Sequence, residues 1–151
     1  MEMGIRAQGA TEYIILVGIA MLVALIGIAA INFFSNMSDS QLVQSSIYWV
    51  EATPIAIVEH SVSNSTGVAS IVLMNNDPSE EVTILRVGLG NATNSTQFML
   101  GSGKKATVSV AGLGTGKAGE IYDLNVTISY RTSRGLVKVQ HGSKNLVGKY
   151  A

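Results

Sequence analysis

The chain has 151 residues, enough for one ordinary domain and a short appendage but not for a two-domain enzyme. Ten basic and ten acidic residues cancel, and only 13% of the residues are charged, which excludes the basic footprint of a nucleic-acid binder. The absence of cysteine excludes a disulfide framework, a thiolate metal site and thiol chemistry.

Near the N-terminus, Arg6 precedes the run Tyr13 to Phe34, YIILVGIAMLVALIGIAAINFF, which is uncharged and carries Asn32 as its strongly polar residue. As a helix this run spans ~33 Å, the thickness of a bilayer core. No Lys or Arg follows until Arg86, so the positive-inside bias places the N-terminus in the cytoplasm and the rest of the chain outside. The helical pattern continues to about Ala52 with a changed chemistry. Val43, Ile47 and Val50 fall at helical spacing among polar Asp39, Gln41, Gln44 and Ser45, an amphipathic arrangement. Pro54 lacks a backbone donor and disfavours helix at Thr53, so the helix is expected to stop there.

Beyond Pro54 the pattern becomes short β-branched runs: Ile55 to Ser61, Val68 to Met74, Glu81 to Leu89, Gln97 to Leu100, Ala106 to Val110, Ile121 to Tyr130 and Leu136 to His141. Between them lie SNSTG, NNDPSE, GNATNS, GSGKK, AGLGTGKAG and TSRG, all rich in turn formers. Asp123, Asn125, Thr127 and Ser129 alternate with Tyr122, Leu124, Val126, Ile128 and Tyr130, the period-2 signature of a strand with one wet face. Seven strands at this spacing predict an antiparallel immunoglobulin-like sandwich, so the expected class is α+β with a long N-terminal apolar helix.

The segment RAQGATEYIILVG resembles the class III signal peptide of archaeal type IV pilins and archaellins, whose leader ends just before a Gln that is followed by a small residue, Ser or Thr, a Glu and then an apolar helix. A single Arg6 stands where a basic cluster is usual, and Ala7 where Gly is common. The resemblance implies cleavage between Ala7 and Gln8 by a membrane prepilin peptidase, with the apolar run retained, unlike a secretory signal peptide. The implied parts are a leader, residues 1–7, an assembly and transmembrane helix, residues 8–53, and an extracellular head, residues 54–151. The junction YWVEATPIAI and the closing GSKNLVGKY, often a final strand, also look like those of this group.

A carboxylate carried toward the bilayer centre costs about 2.5–3.5 kcal/mol, so Glu12 needs a partner. In related pilins the corresponding Glu neutralises the new N-terminal amine of a subunit, a role the resemblance carries to Glu12 and Gln8. Ala20, Ala24 and Gly27 form a small-residue face that permits close helix approach, and Gly18 and Gly27 permit local unwinding. The resemblance implies a homo-oligomeric helical filament on the cell surface used for adhesion. On the same resemblance, its subunits would wait in the membrane with the N-terminus cytoplasmic, and an assembly ATPase with a membrane platform would extract them. An archaellin, or a membrane-anchored binding domain that does not polymerise, would share these features. No cofactor, nucleic-acid partner or enzymatic activity is expected.

Five sequons, at Asn36, Asn64, Asn91, Asn94 and Asn125, are N-glycan acceptors if they lie outside. The loop residues Asn64, Asn91 and Asn94 rank highest, and Asn36, beside the helix, lowest. AGLGTGKA fails the phosphate-loop pattern at Ala111 and Ala118 and reads as a hairpin loop. His60 and His141 have no histidine neighbour in sequence, and Glu59 should face away from His60. Lys138, Lys144 and Lys149 read as solvated strand positions.

Overall fold

The computed structural model describes residues 3–151, with side chains for 9–31 and 39–151. The arrangement is α+β: one long helix, then ten strands in antiparallel sheets. Helix α1, Met3–Glu51, has 49 residues and ends two residues before Thr53, where a cis Thr53-Pro54 bond follows. The chain divides into two units, residues 1–40 and residues 41–151.

In the first unit, Gly9–Ile31 is a 23-residue stretch of mean hydropathy 3.1, none of it buried within the chain. It is long and apolar enough to cross a membrane, a property shared by anchors and signal sequences.

In the second unit, β1 (Ile55–Val62), β2 (Ala69–Asn75) and β6 (Lys105–Val110) form a sheet in the order β1-β2-β6. Strands β3 (Val82–Leu89), β4 (Ala92–Asn94), β5 (Phe98–Leu100), β8 (Val126–Thr132) and β9 (Val137–His141) form another. Its order is β4-β3-β8-β9, with β5 also on β3. Strands β7 (Ile121–Leu124) and β10 (Leu146–Lys149) pair with each other. Alternation decides which side chains face in. Ile71 and Leu73 of β2 meet Ile84, Ile128 and Leu146 in a single core, all but unexposed to solvent. Each such burial contributes about 1.5–3 kcal/mol.

Three expectations are corrected. The run Ile121 to Tyr130 is two strands, because the chain leaves one sheet at Asn125: β7 pairs with β10, whereas β8 pairs with β3 and β9. The apolar alternation survives this exchange of partners, since Tyr122, Val126, Ile128 and Tyr130 are all buried. The turn GNATNS contains the short strand β4, which folds back on β3. AGLGTGKAG is a crossover between β6 and β7 rather than a hairpin, because those strands belong to different sheets. It is pinned where the Leu113 N–H donates to the Gly67 carbonyl at 3.0 Å. Gly67 adopts φ +61°, and a Cβ there would strike the Leu113 carbonyl.

The apolar residues of the amphipathic helix end are not the buried ones. Val43, Ile47 and Val50 are 57%, 54% and 42% exposed, while Ser45, Trp49 and Ala52 are buried. The antiparallel sheets thus receive one face of residues 41–51, and the apolar stripe lies on the other.

Candidate assembly surface

The apolar segment of α1 presents its side chains outward over its whole described length, with Ile14, Leu16, Met21 and Leu25 each about two-thirds exposed. Ala20, Ala24 and Gly27 are exposed at spacings of four and three, which sets them on one face. A Cβ built on Gly18 or Gly27 meets nothing within 4 Å, so each opens a shallow notch in the helix surface. Such notches let another backbone approach closely where lipid provides no hydrophobic drive. Glu12 is exposed at the start of this segment. Ala7 and Gln8 belong to α1, but their side chains lie outside the described residues, as does that of Asn36.

The other end of α1 is fastened to the sheets by polar groups that sequence reading missed. Ser45 Oγ donates to the Asn145 carbonyl at 2.8 Å and accepts from the Val147 N–H at 2.9 Å, crossing to β10. The Ser143 N–H donates to Tyr48 Oη at 3.0 Å, and Lys144 Nζ donates to Gln44 Oε1 at 3.0 Å. Asn76 Nδ2 donates to the carbonyls of Val50 and Ala52, both at 3.0 Å, capping the helix end where carbonyls lack intrahelical partners. Trp49 is fully buried, with its ring against Gly142. Its Nε1 has no hydrogen-bond partner among the described residues. Just beyond the helix, Gln140 clasps Ile55 by two bonds, accepting from its N–H at 3.1 Å and donating to its carbonyl at 2.8 Å. The sequence signal for this joint was the chain's one tryptophan, five residues before Pro54.

The sequons differ in environment. Asn91, in the β3–β4 turn, and Asn125, at the β7–β8 break, are exposed. Asn64 is half-buried in the β1–β2 turn, where its N–H donates to the Ala151 carbonyl at 2.9 Å. Asn94 has its side-chain amide engaged, Nδ2 donating to the Ser109 carbonyl and Oδ1 accepting from the Thr96 N–H at 2.6 Å. A glycan at Asn94 would have to displace the first of these. The turns bearing Asn91 and Asn125 adjoin, because the Gly90 N–H donates to the Asn125 carbonyl at 2.9 Å.

His60 and His141 lie on different sheets, β1 and β9. His60 Nδ1 lies 2.6 Å from Tyr122 Oη, their rings edge to face, and Tyr150 packs edge-on against Tyr122 in turn. Burial holds the His60 imidazole below its usual range. Burial, with the nearby Tyr150, pushes Tyr122 up to about 12. Glu59 is exposed while His60 is half-buried, as alternation along β1 requires. Lys138 lies on β9, Lys149 on β10 and Lys144 in the loop between those strands. No protein-family model matches the chain, and no curated protein matches it.

Proposed function

We propose that the chain is a structural subunit of a surface filament, a type IV pilin-like protein that polymerises for adhesion. The observation that carries this reading is a continuous helix whose Gly9–Ile31 stretch is apolar on every side, while its last turns belong to a well-packed unit of antiparallel sheets. A helix apolar all round must be covered by lipid or by other helices. In this reading lipid covers it before assembly, and copies of the same helix cover it afterwards. The order of the two larger sheets, β1-β2-β6 and β4-β3-β8-β9, supports an immunoglobulin-like head, because it follows the A-B-E and C-F-G pairing of that fold.

Peptidase action between Ala7 and Gln8 would create an α-amine with an ordinary pKa near 8, charged at neutral pH. Glu12, four residues on and therefore on the same helix face, is the carboxylate in position to neutralise such an amine. Asn91 and Asn125 are the best-placed glycan acceptors on the outward-facing head.

The test combines N-terminal sequencing of protein sheared from cell surfaces with electron microscopy of the same material. The expected result is filaments whose subunits begin at Gln8, and loss of filaments in Glu12→Ala with the protein still in the membrane. Sheared material without polymer, or polymer beginning at Met1, overturns the proposal.

A further inference from the structure

Seven large apolar side chains of residues 41–151 are markedly exposed: Val43, Ile47, Val50, Met99, Leu136, Val137 and Val139. They fall into two patches. The first is the stripe Val43, Ile47 and Val50 on α1, about 10 Å long at 1.5 Å per residue. Ser46 and Glu51 flank it at the helical angles to either side, and no Lys or Arg stands in α1 after Arg6.

The second patch is the outer face of the five-stranded sheet at its β9 edge. Register fixes it, because residues directly opposite each other across paired strands share a face. Met99 is opposite Thr83, Thr83 opposite Arg131, and Arg131 opposite Val137, which makes one row across four strands. Arg86, Ser129 and Val139 make the next. Leu136 immediately precedes β9. These two rows hold three apolar side chains and two exposed arginines, with no acid among them. Four strands at about 4.8 Å spacing span roughly 14 Å, enough to receive the helix stripe.

We propose that the α1 stripe of one copy docks on the β8–β9 outer face of a second copy, with Glu51 of one facing Arg131 or Arg86 of the other. The choice of a second copy over self-pairing of either patch rests on charge. Two sheet faces docked on each other would oppose arginine to arginine, which costs affinity, whereas the helix stripe supplies the missing carboxylate. Because the patches differ, the contact is heterologous. Repeated without closing into a ring, it builds an open polymer. The contact rests on the filament reading and specifies how heads engage, in addition to apolar contacts between the Gly9–Ile31 segments.

The chain has no cysteine, so introduced pairs report the contact without background. Full-length chain carrying both Ile47→Cys and Val139→Cys, expressed in cells and mildly oxidised, is expected to give a ladder of covalent dimers, trimers and longer species. Each single variant is expected to stay monomeric on the same gel. A second experiment uses Glu51→Arg and Arg131→Glu, which singly reduce filament yield severalfold and together restore it. Dimers from either single cysteine variant would overturn the heterologous contact in favour of a two-fold one. Filaments that form normally without a ladder from the double variant overturn this contact and leave the filament reading intact. A wild-type chain that makes no polymer overturns both.

Discussion

At Gly142 the ring of Trp49 occupies the space that a side chain would need. A Cβ there would lie 2.7 Å from Trp49 Cη2 and 2.8 Å from the Lys144 carbonyl oxygen, and neither neighbour can yield, since one is a fully buried ring and the other is backbone. Overpacking of this kind costs about 1–3 kcal/mol, so Gly142→Ala should lower the thermal midpoint of the full chain in detergent by several degrees. Gly18→Ala is the control, because a Cβ at Gly18 meets nothing. An equal midpoint for Gly142→Ala and the parent chain would mean that Trp49 is not held against this loop. His60 gives residues 41–151 a pH dependence whose sign follows from burial. Its folded pKa lies below the ordinary value of about 6.5, so the neutral ring is favoured by folding. The unfolded chain therefore binds the proton first as pH falls, and stability declines from about pH 6.5 downward until the folded imidazole also titrates. Thermal midpoints read between pH 7.5 and 5 should fall, and His60→Gln should flatten that part of the profile. A parent profile that rises toward acid would contradict the assigned sign.

Among the elements, the helix and most strands were legible because their periodicities are strong. Pro54 ended the helix within two residues of its observed limit, Glu51. The turn-rich separators put β1, β2, β3, β5, β6 and β9 within two residues of their observed bounds. What periodicity could not supply was partnership. The alternation from Tyr122 to Tyr130 is unbroken, yet the backbone changes sheets at Asn125, because facing a core fixes a side chain's direction and not its strand's neighbour. Helix residues 41–51 carry two usable faces, and the more apolar one lost the contest for the sheets. Ser45 and Trp49 won it through hydrogen bonds to Asn145 and Val147 and the cleft at Gly142, features set by a loop a hundred residues away. Of the expected site residues, Ala20, Ala24 and Gly27 share an exposed helix face. The engaged amide of Asn94 was hidden from the sequence, since a sequon carries no information about which carbonyl its asparagine meets.

On the scale of the molecule, sequence patterning and packing draw the internal boundary at different places. Periodicity divides helix from strands at Pro54, whereas contacts divide the chain between Ser40 and Gln41, so the last turns of α1 are part of the β-rich unit. The difference has a measurable consequence. A fragment beginning at Ile55 lacks Ser45, Trp49 and Ala52, all of them buried, and also the Val50 and Ala52 carbonyls that Asn76 caps. Removing a buried Trp side chain alone costs about 3–5 kcal/mol, a large fraction of the 5–15 kcal/mol that holds a domain together. Residues 41–151 keep all of these groups, along with the buried residues contributed by all three sheets. That fragment should therefore fold without the apolar segment and unfold in one cooperative step on heating, while residues 55–151 should unfold many degrees lower or expose apolar surface to a reporter dye at room temperature. Equal thermal midpoints for the two fragments would show that the helix end is a passenger on the sheets. They would also take away the rigid mounting by which the stripe Val43, Ile47 and Val50 is offered to a neighbouring copy.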